Sequence, residues 1–190
     1  MRTLPGVLAL AGAGLVAAAL VVARVEPPGW QSLEVSTLVT DRAGRPLGLY
    51  TTPGGYYRLP AEPGDVDPRF LGHLVALEDR RFRRHAGVDP LAVARAAVQN
   101  LRRGEVVSGA STLTMQVVRL LDPRPRTLPA KLREAAAALN LERRHGKDAI
   151  LGAYLTLAPY GGNIQGVRAA SLLYFGKPPA RLTLAESALL

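Results

Sequence analysis

The first hydrophobic feature of the chain is an uninterrupted one. Leu4 to Ala23 is a run of 20 residues without a charge, mostly Ala, Leu, Val and Gly. That length matches the ~20 residues that cross ~30 Å of hydrocarbon as a helix. Arg2 precedes it, and Arg24 and Glu26 follow. A cleaved export signal has a shorter apolar core, roughly 7–15 residues. No clear cleavage site follows Val25, so residues 1–25 are expected to remain as a transmembrane signal-anchor. Pro27, Pro28 and Gly29 then break the helix. Leu33 to Val39 alternates loosely, Asp41-Arg42-Ala43-Gly44 is a turn signal, and Leu47 to Tyr57 reads as a returning strand. Residues 26–66 are thus expected to form a juxtamembrane stalk: a short β-hairpin or extended segment, then a loop rich in Pro, Gly and Asp.

From Asp67 onward the apolar period becomes helical. Asp67-Pro68 and Asp89-Pro90 each pair an N-cap with Pro at the first helical position. Further helices are predicted over Ser111–Leu121, from Pro129 to a stop at Gly146, over Ala149–Leu157 and over Ile164–Tyr174. Thr183-Leu184-Ala185-Glu186 has capping-box spacing. Residues 67–190 are therefore expected to form one mainly α domain. Only about two turns follow that last cap, so the domain is expected to be truncated inside an element at its C-terminal end.

Charge changes the picture next. The chain has 24 Lys+Arg against 15 Asp+Glu, a net charge of +9, and 21 of the cations are Arg. Only Arg2 and Arg24 flank the anchor, so the body itself is basic and suits anionic headgroups or phosphates. Cys is absent, which excludes disulfides, thiol catalysis and thiolate metal sites. Aromatics are 5%, thin for a protein that stacks on bases, so nucleic acid is not expected as a partner.

Three stretches can carry chemistry. Leu71, Leu74, Val75, Glu78, Phe82 and His85 recur at spacings of three and four, which on a continuous helix places a carboxylate in an apolar stripe. Desolvation there would raise its pKa and suit it to proton transfer. The competing reading is a plain ion pair with one of Arg80, Arg81, Arg83 or Arg84. Ser108 to Gln116 is dense in hydroxyls; it suits either phosphate and sugar oxygens or an ordinary capped helix start. Lys131 and Glu134 share a helix face, as a solvated ion pair or as part of a site for a diphosphate and a metal. Spacing alone does not decide between these, nor does it bring Glu78 and Glu134 together. No His/Asp/Glu cluster has metal-ligand spacing.

Taken together, these stretches resemble the peptidoglycan glycosyltransferase family, the transglycosylase module of bacterial penicillin-binding proteins. Glu78-Asp79-Arg80-Arg81-Phe82-Arg83-Arg84-His85-Ala86-Gly87 resembles its first motif, Gly109-Ala110-Ser111-Thr112 through Gln116 its second, and Lys131 to Glu134 its third. Ile150-Leu151-x-x-Tyr154-Leu155 and Tyr174-Phe175-Gly176-Lys177 resemble the fourth and fifth. Met115-Gln116-x-x-Arg119 and Ala158 to Asn163 are similar to the penicillin-binding protein 1C branch in particular.

The resemblance implies a lysozyme-like, mainly helical fold at the outer face of the bacterial plasma membrane. An apolar jaw, sought at Leu120-Leu121 to Leu128, would dip into the bilayer. It implies polymerisation of lipid II into glycan strands, with Glu78 as general base and Glu134 assisting departure of the lipid diphosphate, directly or through a divalent cation, Mg or Mn. Lys131 and Arg119 would neutralise the diphosphate. Asp79, Phe82, His85, Ser111, Thr112 and Gln116 would shape the site and bind the sugar–phosphate chain. Partners would be lipid II, the growing strand, the membrane and other cell-wall synthesis proteins, with no organic cofactor. The chain departs from the family pattern at Met115 (for Gln), Arg119 (for Lys), Ala130 (for Arg) and Thr156 (for Asn). No Ser-x-x-Lys occurs, so the transpeptidase chemistry that usually follows this module is not expected from this chain. A lysozyme-like hydrolase and an inactive membrane-tethered scaffold are the competing readings.

Overall fold

The computed structural model describes residues 22–104 and 110–190. The apolar stretch expected to anchor the chain lies almost wholly outside them, and among the described residues no helix is long and apolar enough to cross a membrane. The fold is mainly helical: α1 (Pro68–Glu78), α2 (Pro90–Arg103), α3 (Leu113–Leu121), α4 (Leu128–Arg144), α5 (Lys147–Leu157), α6 (Val167–Phe175) and α7 (Leu184–Leu189). Four short strands accompany them: β1 (Thr37–Thr40), β2 (Pro46–Tyr50), β3 (Tyr57–Arg58) and β4 (Ile164–Gln165).

The helix starts follow local chemistry. Asp67 accepts from the Arg69 N–H at 2.8 Å, and Asp89 from the Leu91 and Ala92 N–H groups, each ahead of a first-turn Pro. Thr112 and Thr127 cap α3 and α4, and Thr183 with Glu186 forms the capping box of α7. The centre of the core is α5, buried on every side from Ile150 to Leu157. Helix α3 packs on both α4 and α5, so the second, third and fourth motif-like stretches meet around one core.

Three sequence expectations change. The hairpin forms as β1 and β2, antiparallel, with an irregularity between Val39 and Thr40. The expected returning strand, however, ends at Tyr50, and Tyr57–Arg58 pairs instead in parallel with Ile164–Gln165, more than 100 residues away. Arg58 reinforces that pair by donating from Nε to Gln165 Oε1 at 2.7 Å. The helix expected from Ile164 begins only at Val167, because Gly166 turns the chain at φ +84 against α5. A Cβ there would lie 2.5 Å from the Thr156 carbonyl oxygen. Lastly, the face running from Leu71 to His85 is not one helix. Helix α1 stops at Glu78, and Phe82–Arg84 forms a separate 3-10 turn.

Thr156, where the family pattern has Asn, is a buried pin. Its Oγ1 accepts from the Ala61 N–H at 3.1 Å and donates back to the Ala61 carbonyl at 3.4 Å. This fastens the loop before α1 to the core helix and satisfies a buried donor and acceptor together.

Gly87 closes the first motif-like stretch onto α4. Its φ is +99, and a Cβ would come within 2.5 Å of the Ala138 carbonyl oxygen. Gly87→Ala is therefore expected to destabilise the protein by more than about 1 kcal/mol, read as a lower denaturant midpoint at unchanged slope. A pH effect follows from Asp67. Hydrogen bonds from the Arg69 side chain and backbone hold its carboxyl at about 2, below the ordinary 3.8. A carboxyl with a depressed folded pKa adds stability above its unfolded value and loses it as pH falls. Between pH 4 and pH 2, Asp67→Asn should flatten the acid limb of a stability-versus-pH curve.

Candidate active site

Glu78 ends α1 and is exposed, facing a cavity of about 610 Å³ whose walls include Arg80, Arg84, Arg95 and Ser111. The sequence expectation of a desolvated carboxylate in an apolar stripe is corrected here. The helix ends at this residue, so its side chain turns to the cavity while Phe82 takes the buried position. Glu78 Oε2 accepts from Gln116 Nε2 at 2.9 Å. Tyr154 lies close enough to be affected by it: burial and then the Glu78 charge push the Tyr154 phenol up to about 12, so it stays protonated.

Glu134 lines a second cavity, of about 500 Å³, with Arg119 and Lys131. Its carboxylate is 11% exposed and fully engaged. Oε1 accepts from Lys131 Nζ and Arg119 Nη2, both at 2.8 Å, and Oε2 from Arg119 Nε at 2.9 Å. The bidentate fork from Arg119 is one that the Lys of the family pattern could not make. That hydrogen bond raises the Arg119 pKa. Ser111 joins the two cavities. It lines the first, and its Oγ accepts from Lys131 Nζ and, at 3.4 Å, from Arg119 Nη2 of the second. The two carboxylates, 56 positions apart in sequence, thus face separate cavities that meet at Ser111: Glu78 lines the first with it, and Glu134 shares Lys131 and Arg119 with its hydroxyl.

The remaining predicted site residues lie in the interior. Asp79 and His85 side chains are only 3% and 4% exposed. His85 Nε2 meets Asp79 Oδ2 at 2.9 Å, while His85 Nδ1 accepts from the Gly87 N–H at 3.2 Å. That acceptor role leaves the ring proton on Nε2, donating to Asp79. Asp79 Oδ2 also accepts from the Leu113 N–H at 3.0 Å, tying the first motif-like stretch to the start of α3. Thr112 is buried and donates to the Gly87 carbonyl, and Phe82 is fully buried. Asp79, Phe82, His85 and Thr112 therefore shape the site from behind, whereas Ser111, Gln116, Arg119 and Lys131 stand at it. Gly109 and Ser108, part of the second stretch, lie outside the described residues.

Sequence reasoning passed over one member of this interior. Glu142 accepts from Thr114 Oγ1 and from Lys147 Nζ, both at 2.6 Å, and lies 4.0 Å from His85 Nδ1. Lys147 in turn sits 4.5 Å over the Phe82 ring. One carboxylate so links α3, α4, α5 and the 3-10 turn. Its only local signal was Lys147, five residues on across the Gly146 stop; Thr114 is 28 residues away.

Residues 49–190 match the family Transglycosylase. The chain belongs to the transglycosylase family. It is 49% identical over 153 residues to penicillin-binding protein 1C of Escherichia coli (strain K12), covering 80% of this chain and 20% of that protein. It is 40% identical over 153 residues to penicillin-binding protein 1A of Aquifex aeolicus (strain VF5), covering 80% and 21%. Penicillin-binding protein 2D of Bacillus subtilis (strain 168) is 36% identical over 183 residues, 96% of this chain and 26% of that protein. The transglycosylase chain thus spans about a fifth to a quarter of the length of these curated relatives.

The Glu142 joint makes a prediction for this transglycosylase. Glu142→Gln leaves Lys147 without its counter-charge and should cost about 3 kcal/mol of stability. Glu142→Gln combined with Lys147→Met, which removes both charges, should cost less than the single change in the same denaturation experiment. A double variant whose loss equals the losses of Glu142→Gln and Lys147→Met added together would mean that the pair is not coupled.

Proposed function

We propose that the chain is the glycosyltransferase module of a membrane-anchored cell-wall enzyme, joining lipid II units into glycan strands at the outer face of the plasma membrane. One observation carries this reading. A free carboxylate on one cavity and a cationic, carboxylate-braced pair on the next are joined through Ser111, the layout required by a sugar transfer in which a proton leaves one partner and a diphosphate leaves the other.

In this reading the acceptor sugar enters beside Glu78. Gln116 holds Oε2, which leaves Oε1 to take the proton of the attacking hydroxyl. The hydroxyl oxygen bonds to the donor C1 as the bond from C1 to the diphosphate oxygen breaks, and the departing diphosphate keeps the electron pair. Attack from the opposite face inverts C1. Lys131 and Arg119 meet the developing charge. After their bonds to Glu134 and Ser111, Lys131 keeps one N–H and Arg119 keeps Nη1 free to donate. Glu134 acts through those cations, fixing them in place before the reaction so that little reorganisation is needed. Ala130, in place of the family Arg, lines this cavity with Arg126 and Arg133, so the wall remains basic.

Both Glu134 oxygens accept from Arg119 or Lys131, which supports reading Glu134 as acting through those cations; a divalent cation there would add its charge to the same task of meeting the diphosphate.

Contact with the bilayer is supported by α2 more than by the stretch first singled out for it. Leu120 and Leu121 pack against the core, leaving Leu128 exposed. Helix α2 buries only Ala96 and displays Leu91, Val98 and Leu101, the last 86% exposed, beside Arg102 and Arg103. An apolar stripe with flanking cations suits an anionic lipid surface.

The test is polymerisation of lipid II by the full chain in detergent or vesicles. Glu78→Gln keeps the shape but cannot take the proton, so turnover should fall ~10²–10⁴-fold while lipid II binding persists. Glu134→Gln should weaken both binding and turnover, because it releases the Arg119 fork and Lys131. Wild-type turnover from Glu78→Gln would end the general-base assignment, whereas lipid II binding with no polymer from the unaltered chain would favour a scaffold.

A further inference from the structure

The cavity beside Lys131 and Glu134 has a wall from an unexpected place. Glu26 and Pro28, which directly follow the stretch predicted to enter the membrane, line it together with Pro125 and Leu128. That segment is tied down at one point. Asn140, buried on α4, donates from Nδ2 to the Val22 and Val25 carbonyls, both at 2.7 Å. Val25 within this segment and Trp30 just beyond it pack against the core, and Trp30 meets the His145 ring at 4.4 Å. Lys131, Glu134, Ala137 and Asn140 recur every three residues along α4, so Asn140 lies about 9 Å along the helix from Glu134. The helix that presents the cations therefore also holds the strap.

The lining of this cavity mixes two chemistries: Arg119 and Lys131 are cationic, and Pro28, Pro125 and Leu128 are apolar. An ion with an apolar tail satisfies both, and an inorganic ion satisfies only the first. We propose that the strap of residues 22–28 is the wall along which the lipid of a diphosphate-linked substrate leaves the site, and that Asn140 is the positioning residue that holds it there. The inference rests on the reading above that Lys131 and Arg119 receive a diphosphate. It adds what recognises the lipid. Without the Asn140 amide, the Val22 and Val25 carbonyls lose the donor that keeps the strap against α4, and the apolar wall moves away from the cations.

The experiment compares two ligands with the full chain in detergent: inorganic diphosphate and geranyl diphosphate, by calorimetric titration. In the wild type the prenyl chain should tighten binding at least about tenfold, as burial of two or so methylene equivalents would. Asn140→Ala should bring the two ligands to within about twofold of each other while leaving the affinity for inorganic diphosphate unchanged. Asn140→Gln, which keeps the amide donor, should retain part of the preference. Pro28→Ser and Leu128→Ser alter the wall without touching the core, and they should also reduce the preference; they decide the matter if Asn140→Ala does not fold. Equal binding of both ligands by the wild type overturns the proposal, as does a loss of both affinities together in Asn140→Ala. If the preference and its loss are seen but no variant polymerises lipid II, the lipid wall stands and the glycosyltransferase reading falls.

Discussion

The site depends on a buried ionic joint. Asp79 accepts from the His85 ring and from the Leu113 N–H, so one carboxylate holds the end of the first motif-like stretch against the start of α3. Everything accessible hangs from that contact. Glu78 precedes Asp79 directly, and Ser111 lies two residues before Leu113. A carboxylate taken out of water is costly unless its oxygens are filled, and here each bond that fills them also fixes a neighbour. Glu142 does the same service on the other side of His85, through Thr114 and Lys147. The interior charges are spent on geometry, and the charges at the cavities stay available for ligands.

Those available charges are arranged asymmetrically. Glu78 has a single neutral donor, Gln116, whereas Glu134 is crossed by three hydrogen bonds from two cations. A carboxylate so braced is well suited to orienting cations. The difference between the two glutamates thus lies in their neighbours, since the residues themselves are identical.

Much of this was legible in the sequence where the signal was local. The Asp-Pro starts of α1 and α2, the Thr183–Glu186 capping box and the length of α4 follow from residues within one turn of each other. The motif-like stretches also contain the residues that line the two cavities, Glu78, Ser111, Arg119, Lys131 and Glu134, together with others that pack behind them. What escaped was non-local. Periodicity carried the helical face of α1 through Phe82 and His85, because a 3-10 turn after Glu78 happens to bury the same positions that a continued helix would. Parallel pairing of Tyr57–Arg58 with Ile164–Gln165 left no trace, since two-residue strands have no alternation to read. Asn140 and Glu142 looked like ordinary polar positions of a long helix, and only the tertiary partners reveal them as buried.

Helix α2 has a further consequence. It is capped well at Asp89 and ends on a left-handed Gly104, yet among the described residues it buries one side chain and touches other elements little. Its stability therefore rests on caps and intrinsic propensity, which alone leave a helix of this length marginal in water. Such an element is expected to open ahead of the α3–α4–α5 core, with amide hydrogens that exchange as a separate class. It is a part of the molecule whose order is set by what lies against it, and a surface that covers Leu91, Val98 and Leu101 would supply the burial that the rest of the fold withholds.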